Sequence, residues 1–298
     1  MKTRIFLIAL LMLTTLPAWP AARPNLVVES VQMPAWIEHE NGVRQALAIG
    51  AALANRDKIN TGASARVLLR LADGSTIKLG ENATLTLDDL RQQKDKLKQL
   101  VTATLDVLAG AFRFTTQSIY KFHGERDIKV KLVTITAGIR GTDIWGKHTD
   151  DRDVLALLEG KITVVHGTEA FTMDQQQSVY TVPKESPPTP VAPLDSKLLV
   201  KWSLETEIVP GGGTESGNGK WKVYLATAKS QEEVLAIYDK LSDAGYAADI
   251  RPVKKEEGIV YRLRISGLLS KQEALILAAK LKEQKDQLGI EEPTVAAK

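Results

Sequence analysis

The 298-residue chain contains no cysteine, which excludes a disulfide scaffold, thiolate zinc sites, iron–sulfur ligation, thiol catalysis and a lipid-modified N-terminal cysteine. Histidine is scarce, with four residues, His39, His123, His148 and His166, and no two of them share the spacing of helical metal ligands. No His-Glu-x-x-His, Gly-x-Ser-x-Gly, phosphate-loop or dinucleotide fingerprint occurs. Charge of one sign is not in excess either. The 39 basic and 36 acidic residues leave +3, too balanced for an electrostatic nucleic-acid binder. Hydrophobic residues make up 44% and charged residues 25%, which excludes wholesale disorder and a multi-span membrane protein. What remains is an ordinary globular composition, long enough for two domains at about 150 residues each.

The N-terminus differs from the rest. Lys2 and Arg4 precede an apolar run from Ile5 to Leu13, and Ala18, Ala21 and Ala22 follow it. A basic start, a short apolar stretch and small residues make a secretory signal peptide, 1–22, cut after Ala22. The run is short for a spanning helix, and an uncleaved anchor is the competing reading. Removing two basic residues and no acidic ones leaves the mature chain at +1. The expectation is an exported, periplasmic protein with no stable membrane span after cleavage.

Composition shifts again at 183–218. Pro183, Pro187, Pro188, Pro190 and Pro193 come first, and Gly211 to Gly213, Gly217 and Gly219 close the stretch. Proline stiffens and glycine loosens, so the sequence reads as a linker interrupted by the apolar patch Leu198 to Trp202, able to dock or form a helical turn. It separates an N-terminal domain, 23–182, from a C-terminal domain, 219–298.

The N-terminal domain has period two. Val67, Leu69 and Leu71 alternate with their neighbours, Asp73-Gly74 turns the chain, and Ile77 and Leu79 resume, which predicts a hairpin. Further strands are predicted at 84–87, 100–105, 110–114, 130–136, 154–158, 160–166 and 177–182. The charged stretch Arg91 to Lys98 reads as a solvated loop or brief helix. Many short strands with turn signals predict an all-β sandwich, roll or solenoid.

Two stretches carry a family signature. Asn55-Arg56-Asp57-Lys58-Ile59-Asn60-Thr61-Gly62 leads through Ser64 into the hairpin with Asp73-Gly74-Ser75. Thr134 to Ile144, with Arg140-Gly141-Thr142-Asp143 at its core, is followed by Leu158-Glu159-Gly160-Lys161-Ile162. On these residues the region 26–182 resembles the FecR domain family. The resemblance implies a β-rich extracytoplasmic domain. The family's best-known members relay an external signal to a sigma factor from within a membrane. This sequence shows neither an anti-sigma segment ahead of the domain nor a spanning helix, so the resemblance bears on fold more than on signalling. Arg140, Thr142 and Asp143 could form a polar binding cluster, but a tight bend at Gly141 with local hydrogen bonds is the simpler reading. Asp143 and Glu159 could be imagined as a glycosidase-like acid pair, although sequence alone does not bring them together.

The C-terminal domain is duplicated at an offset of 40 residues. Trp221-Lys222-Val223-Tyr224-Leu225 lies over Tyr261-Arg262-Leu263-Arg264-Ile265, and Ser230-Gln231-Glu232-Glu233 over Ser270-Lys271-Gln272-Glu273. Each half reads as a strand, a Ser-x-x-Glu capping box and a helix. The apolar stripes are Val234, Ile237, Tyr238 and Leu241, then Ala274, Leu277, Ala278 and Leu281. Gly245 ends the first helix, Ala247 to Arg251 forms a second strand, and Glu292 to Val295 a short last one. The sum is βαββαβ, a ferredoxin-like α+β sheet with helices on one face. Strand parity turns Trp221, Val223 and Leu225, with Tyr261, Leu263 and Ile265, toward the helices. Lys222, Tyr224, Arg262 and Arg264 then share the open face, three cations around an aromatic ring. Rings stack on sugar or base faces, and arginine forks bind carboxylate or phosphate.

These repeats resemble the SPOR (sporulation-related repeat) domain over 219–298. Ala226-Thr227-Ala228 stands where Gly-Ser-Phe is common, with Thr227 keeping a hydroxyl, and Tyr224 where glutamine is common. The resemblance implies binding to peptidoglycan glycan strands stripped of their stem peptides, many such domains concentrating at division septa. The sites it implies are Lys222, Tyr224, Thr227, Arg262 and Arg264, with the free lactyl carboxylate of muramic acid opposite the two arginines. The combined expectation is a non-enzymatic periplasmic cell-wall binder without cofactor or metal, its FecR-like domain free to meet a cell-envelope or divisome protein. A sensor contacting a membrane protein is the second reading, and a glycan-cleaving enzyme the third.

Overall fold

The computed structural model describes residues 25–94, 99–117, 124–256 and 258–297. The segment read as a signal peptide and His123 lie outside them. Early strands are β1 (Leu26–Gln32), β2 (Ala35–Glu38), β3 (Arg44–Ala46), β4 (Lys58–Thr61), β5 (Arg66–Leu71) and β6 (Thr76–Leu79). Two long strands follow, β7 (Thr84–Lys94) and β8 (Gln99–Thr115). Then come β9 (Glu125–Lys131), β10 (Ile135–Ile139), β11 (Asp143–Thr149), β12 (Arg152–Glu159), β13 (Ile162–His166), β14 (Glu169–Met173) and β15 (Ser178–Pro183).

The alternation read from the sequence is that of strands with one buried face. β5 and β6 form the hairpin, with Val67, Leu69, Leu71, Ile77 and Leu79 inward and Gly74 at φ +84° in the turn. One sheet runs β1–β5–β6–β8–β11–β12–β15. The other runs β3–β2–β4–β7–β8–β9–β10–β13–β14, with β8–β9 its one parallel pair among the described residues. β8 belongs to both. Its first part pairs with β7 up to Ala109, and from Gly110 it pairs with β11. Gly110 has φ +76°, and a Cβ there would lie 2.6 Å from Ala83 Cα, so the strand can cross between sheets only with glycine at this point. The strands expected at 100–105 and 110–114 are therefore one. Arg91 to Lys94, expected in a loop or helix, extend β7 instead, because their backbone pairs with residues 99–102 of β8.

The region 183–218 carries three elements: β16 (Thr189–Pro193), α1 (Ser196–Thr206) and β17 (Thr214–Ser216). Pro190 and Pro193 sit in the edge strand β16, where the missing N–H costs no ladder bond. Asp195 caps α1, accepting from Lys197 N and Leu198 N. Trp202 stacks on Trp145 with ring centroids 4.5 Å apart and planes 4° apart. Lys147 pairs with Glu205, and Lys78 and Arg113 both reach Glu207, so α1 is fastened across the outer face of the first sheet.

The C-terminal unit contains β18 (Trp221–Ala228), α2 (Gln231–Asp243), β19 (Asp249–Lys255), β20 (Gly258–Leu268), α3 (Lys271–Lys282), α4 (Lys285–Leu288) and β21 (Thr294–Ala297). Pairing gives the antiparallel order β21–β18–β20–β19, the expected βαββαβ arrangement. Ser230 and Ser270 cap their helices through Glu233 N and Glu273 N. The fold class is therefore an all-β N-terminal part followed by an α+β C-terminal part.

β17 joins the two. It pairs with β1 over Ser30–Gln32 on one side and with β20 at Leu268 on the other, making one hydrogen-bonded sheet across the junction. Glu273, in the first turn of α3, is buried, and its carboxylate accepts from Gly211 N (2.6 Å), Gly213 N (2.6 Å) and Thr214 N (2.7 Å). Gly213 has φ +78°, and a Cβ on Gly212 would collide with the Gln32 amide. The glycines thus serve close approach and a left-handed turn. Elsewhere at the junction, Trp36 Nε1 donates to Asp243 O at 2.9 Å and Lys280 Nζ to Met33 O at 2.8 Å.

Glu273→Ala leaves three buried N–H groups without acceptors and is expected to lower stability by about 3 kcal/mol in urea unfolding. Glu233→Ala, at the exposed equivalent position, is expected to cost under about 1 kcal/mol. Glu215, the central residue of β17, is pushed up to about 8 by burial and then by the charge of Asp249. The unfolded chain releases this proton near pH 4.5 while the folded chain keeps it, so stability falls as pH rises through that window. Glu215→Gln is expected to raise the Tm at pH 8, with the gain vanishing near pH 4.

Candidate glycan-binding face

β18 and β20 are neighbours, and their open face carries the predicted residues. Val223, Leu225, Leu263 and Ile265 are buried toward α2 and α3, which leaves the other parity outward. A register shift between Tyr224 and Ala226 lets Thr227 emerge opposite Arg262 on the exposed side. Tyr224 pairs across the strands with Arg264, and Lys222 with Ser266.

The Tyr224 ring is the centre. Lys222 Nζ lies 5.6 Å from its centroid and Arg262 Cζ 5.5 Å, both within cation–π range. Burial works to raise the Tyr224 phenol, but hydrogen bonds and charge from Lys222 and Arg264 hold it below its ordinary value. Tyr224, Ala226, Thr227 and Arg262 line a groove of about 280 Å³, whose far rim carries Glu291, Glu292 and Thr294. The groove is thus cationic at the ring and acidic beyond it.

Arg264 differs from Arg262. Its Nε donates to Asp249 Oδ1 at 3.0 Å, while Ser266 Oγ donates to Asp249 Oδ2 at 2.6 Å. Burial raises the Asp249 carboxyl, but Ser266, Arg264 and Arg251 outweigh it and hold it below its ordinary value. Asp249 was not singled out in the sequence because it lies 15 residues from Arg264 and meets it only through strand pairing.

In the N-terminal part the motif residues are occupied structurally. Asp143 makes a two-bond pair with Arg113 (2.9 and 2.7 Å) and accepts from Thr115. Gly141 has φ +77°, and Thr142 and Thr116 exchange hydrogen bonds. Arg140 is exposed beside this bend. Glu159 does stand opposite Asp143 across β11 and β12, yet the Asp143 oxygens are already engaged. Asp57 accepts from Ala54 N and pairs with His39 at 2.7 Å, and Asp73 caps its own turn through Ser75 and pairs with buried Arg126. His148 is held by buried Asp153 at 2.5 Å, while His166 meets the Tyr180 hydroxyl at 3.3 Å. Among the described residues no group of histidines and carboxylates has metal-binding geometry, and no helix is long and apolar enough to cross a membrane.

Residues 57–163 match the model of the FecR protein family, and residues 217–289 match the SPOR domain. Two crystal structures of a provisionally assigned anti-sigma factor from Parabacteroides distasonis show distant likeness. One is 14% identical with TM-score 0.38, covering 68% of this chain and 97% of its own. The other is 13% identical with TM-score 0.38, covering 75% and 89%. Comparison with curated proteins gives no match. Both matched families are binding or regulatory rather than catalytic. The chain thus carries a stretch similar to the FecR protein family followed by one similar to the SPOR domain.

Proposed function

We propose that this chain is a periplasmic envelope protein that binds peptidoglycan glycan strands lacking stem peptides, through the open face of β18 and β20. The observation that carries the reading is the Lys222–Tyr224–Arg262 cluster within the region that matches the SPOR domain. A tyrosine ring can receive the apolar face of a sugar, and the flanking cations can meet the lactyl carboxylate that stem-peptide removal exposes. Arg262 is the direct anion partner in this reading. Arg264, held by Asp249, acts more as a rigid neighbour that fixes the ring. Thr227 adds a hydroxyl at the groove wall, and the acidic rim at Glu291 and Glu292 turns the carboxylate back toward the ring. Export follows from segment 1–22, and denuded glycan would direct the protein to division sites.

The match over 57–163 favours a second role for the N-terminal part, contact with a membrane or divisome protein. Nothing in the arrangement of Asp143 and Glu159 supports glycan cleavage, since Arg113 holds Asp143.

The chain without residues 1–22 is expected to co-sediment with sacculi after amidase treatment and far less before it. Absence of binding to treated sacculi rejects the proposal. Arg262→Ala is expected to weaken binding about tenfold with unchanged circular dichroism. An unchanged affinity places the site elsewhere.

A further inference from the structure

The platform does not end at Lys222. Continuing along β18 and β20, the sheet reaches β17 and the N-terminal part, and a second cleft of about 250 Å³ opens there. Lys222, Arg264 and Ser266 from the platform line one side, Lys220 and Trp221 the entrance to β18, and Ile49 belongs to the N-terminal part. Glu215, on the joining strand, completes the lining. Its Oε2 is shut off from solvent and has no hydrogen-bond partner among the described residues. A buried polar atom left without a partner costs roughly 1–3 kcal/mol, which a ligand group in the adjoining cleft recovers once the Glu215 carboxyl turns toward it.

The lining narrows the ligand. Trp221 and Ile49 offer apolar surface, while Ser266, Lys220 and the Glu215 carboxyl offer hydrogen bonds, a mixture that suits a sugar ring with its apolar face and polar edge. Burial and Asp249 keep the Glu215 carboxyl protonated at neutral pH, so it both donates and accepts. Arg264 is already paired with Asp249, so the cations this cleft offers a ligand are Lys220 and Lys222. From Thr227 to Lys222 the strand advances about 17 Å, room for several rings of one extended polymer.

We infer that the junction cleft is a second saccharide subsite, which takes an N-acetylhexosamine ring of the glycan strand whose carboxylate-bearing sugar lies on the Tyr224 platform, with Glu215 hydrogen-bonding its acetamido or hydroxyl group. This rests on the glycan-binding reading of the open face and extends it: the site is built jointly by the two parts of the chain, and neither completes it alone.

The test is a length series. The chain without residues 1–22 is titrated with peptide-free glycan oligosaccharides, one short enough for the platform only and one long enough to reach the cleft. Two variants accompany it. Glu215→Leu removes both hydrogen-bonding atoms. Gly217→Leu obstructs the cleft from its exposed rim without touching Glu215, since a Cβ at Gly217 has no neighbour closer than Ile49 Cγ2 at 3.9 Å. The long oligosaccharide is expected to bind the parent about tenfold more tightly than the short one, and each variant to lose that gain while holding the short one normally. If the parent binds both lengths equally, or either folded variant keeps the full gain, the subsite is rejected and the platform stands. If the parent binds neither, the platform reading falls, and the subsite with it.

Discussion

A single carboxylate fixes how the two parts of this protein meet. Glu273 gathers three backbone N–H groups from Gly211, Gly213 and Thr214, and so seats β17 beside β20. Its repeat equivalent, Glu233, stays at its own helix N-terminus and accepts from Lys229 N. Duplication thus left two identical capping signals, of which one became a long-range tie. Because that carboxylate is buried, its energy is less screened than that of a surface pair, and it anchors the left-handed turn of the glycine run.

From this seat follows the electrostatics of the open face. β17 brings Glu215 near Asp249, Asp249 grips Arg264 and Ser266, and Arg264 in turn bears on Tyr224. In that row Glu215 is held protonated and the charges of Asp249 and Arg264 offset each other, so little net charge accumulates inside it. Lys222 and Arg262, which flank the ring, stand outside that row. Two arginines that look equivalent in an alternating strand therefore have different duties, set by which of them has a carboxylate on the neighbouring strand.

Much of this architecture could be read from residue order alone. Local signals carried the β5–β6 hairpin, because Asp73-Gly74 and the flanking alternation lie within a few residues of each other. The C-terminal repeats were legible for the same reason, with Ser230 and Ser270 marking both helix starts and parity sorting Lys222, Tyr224, Arg262 and Arg264 onto one face. What could not be read were pairings between distant segments. The continuity of β8 depends on Ala83 crowding Gly110, and the order in 183–218 depends on Trp145 and Glu273. A Gly-Gly-Gly run has the same composition whether it is slack or moulded against a partner. The Asp249–Arg264 pair was hidden likewise, since strand register across 15 residues decides it.

The shared ladder at β17 has a mechanical meaning. A proline- and glycine-rich tether would let the two parts swivel, so that anchoring one would say nothing about the heading of the other. Hydrogen bonds running from β1 through β17 into β20 remove that freedom. Whatever lies along the open face sets a compass direction for the β-sandwich, and a pull on either part is transmitted as torque. The chain is in this respect a bracket, which holds the outer surface of one part at a set bearing to the other.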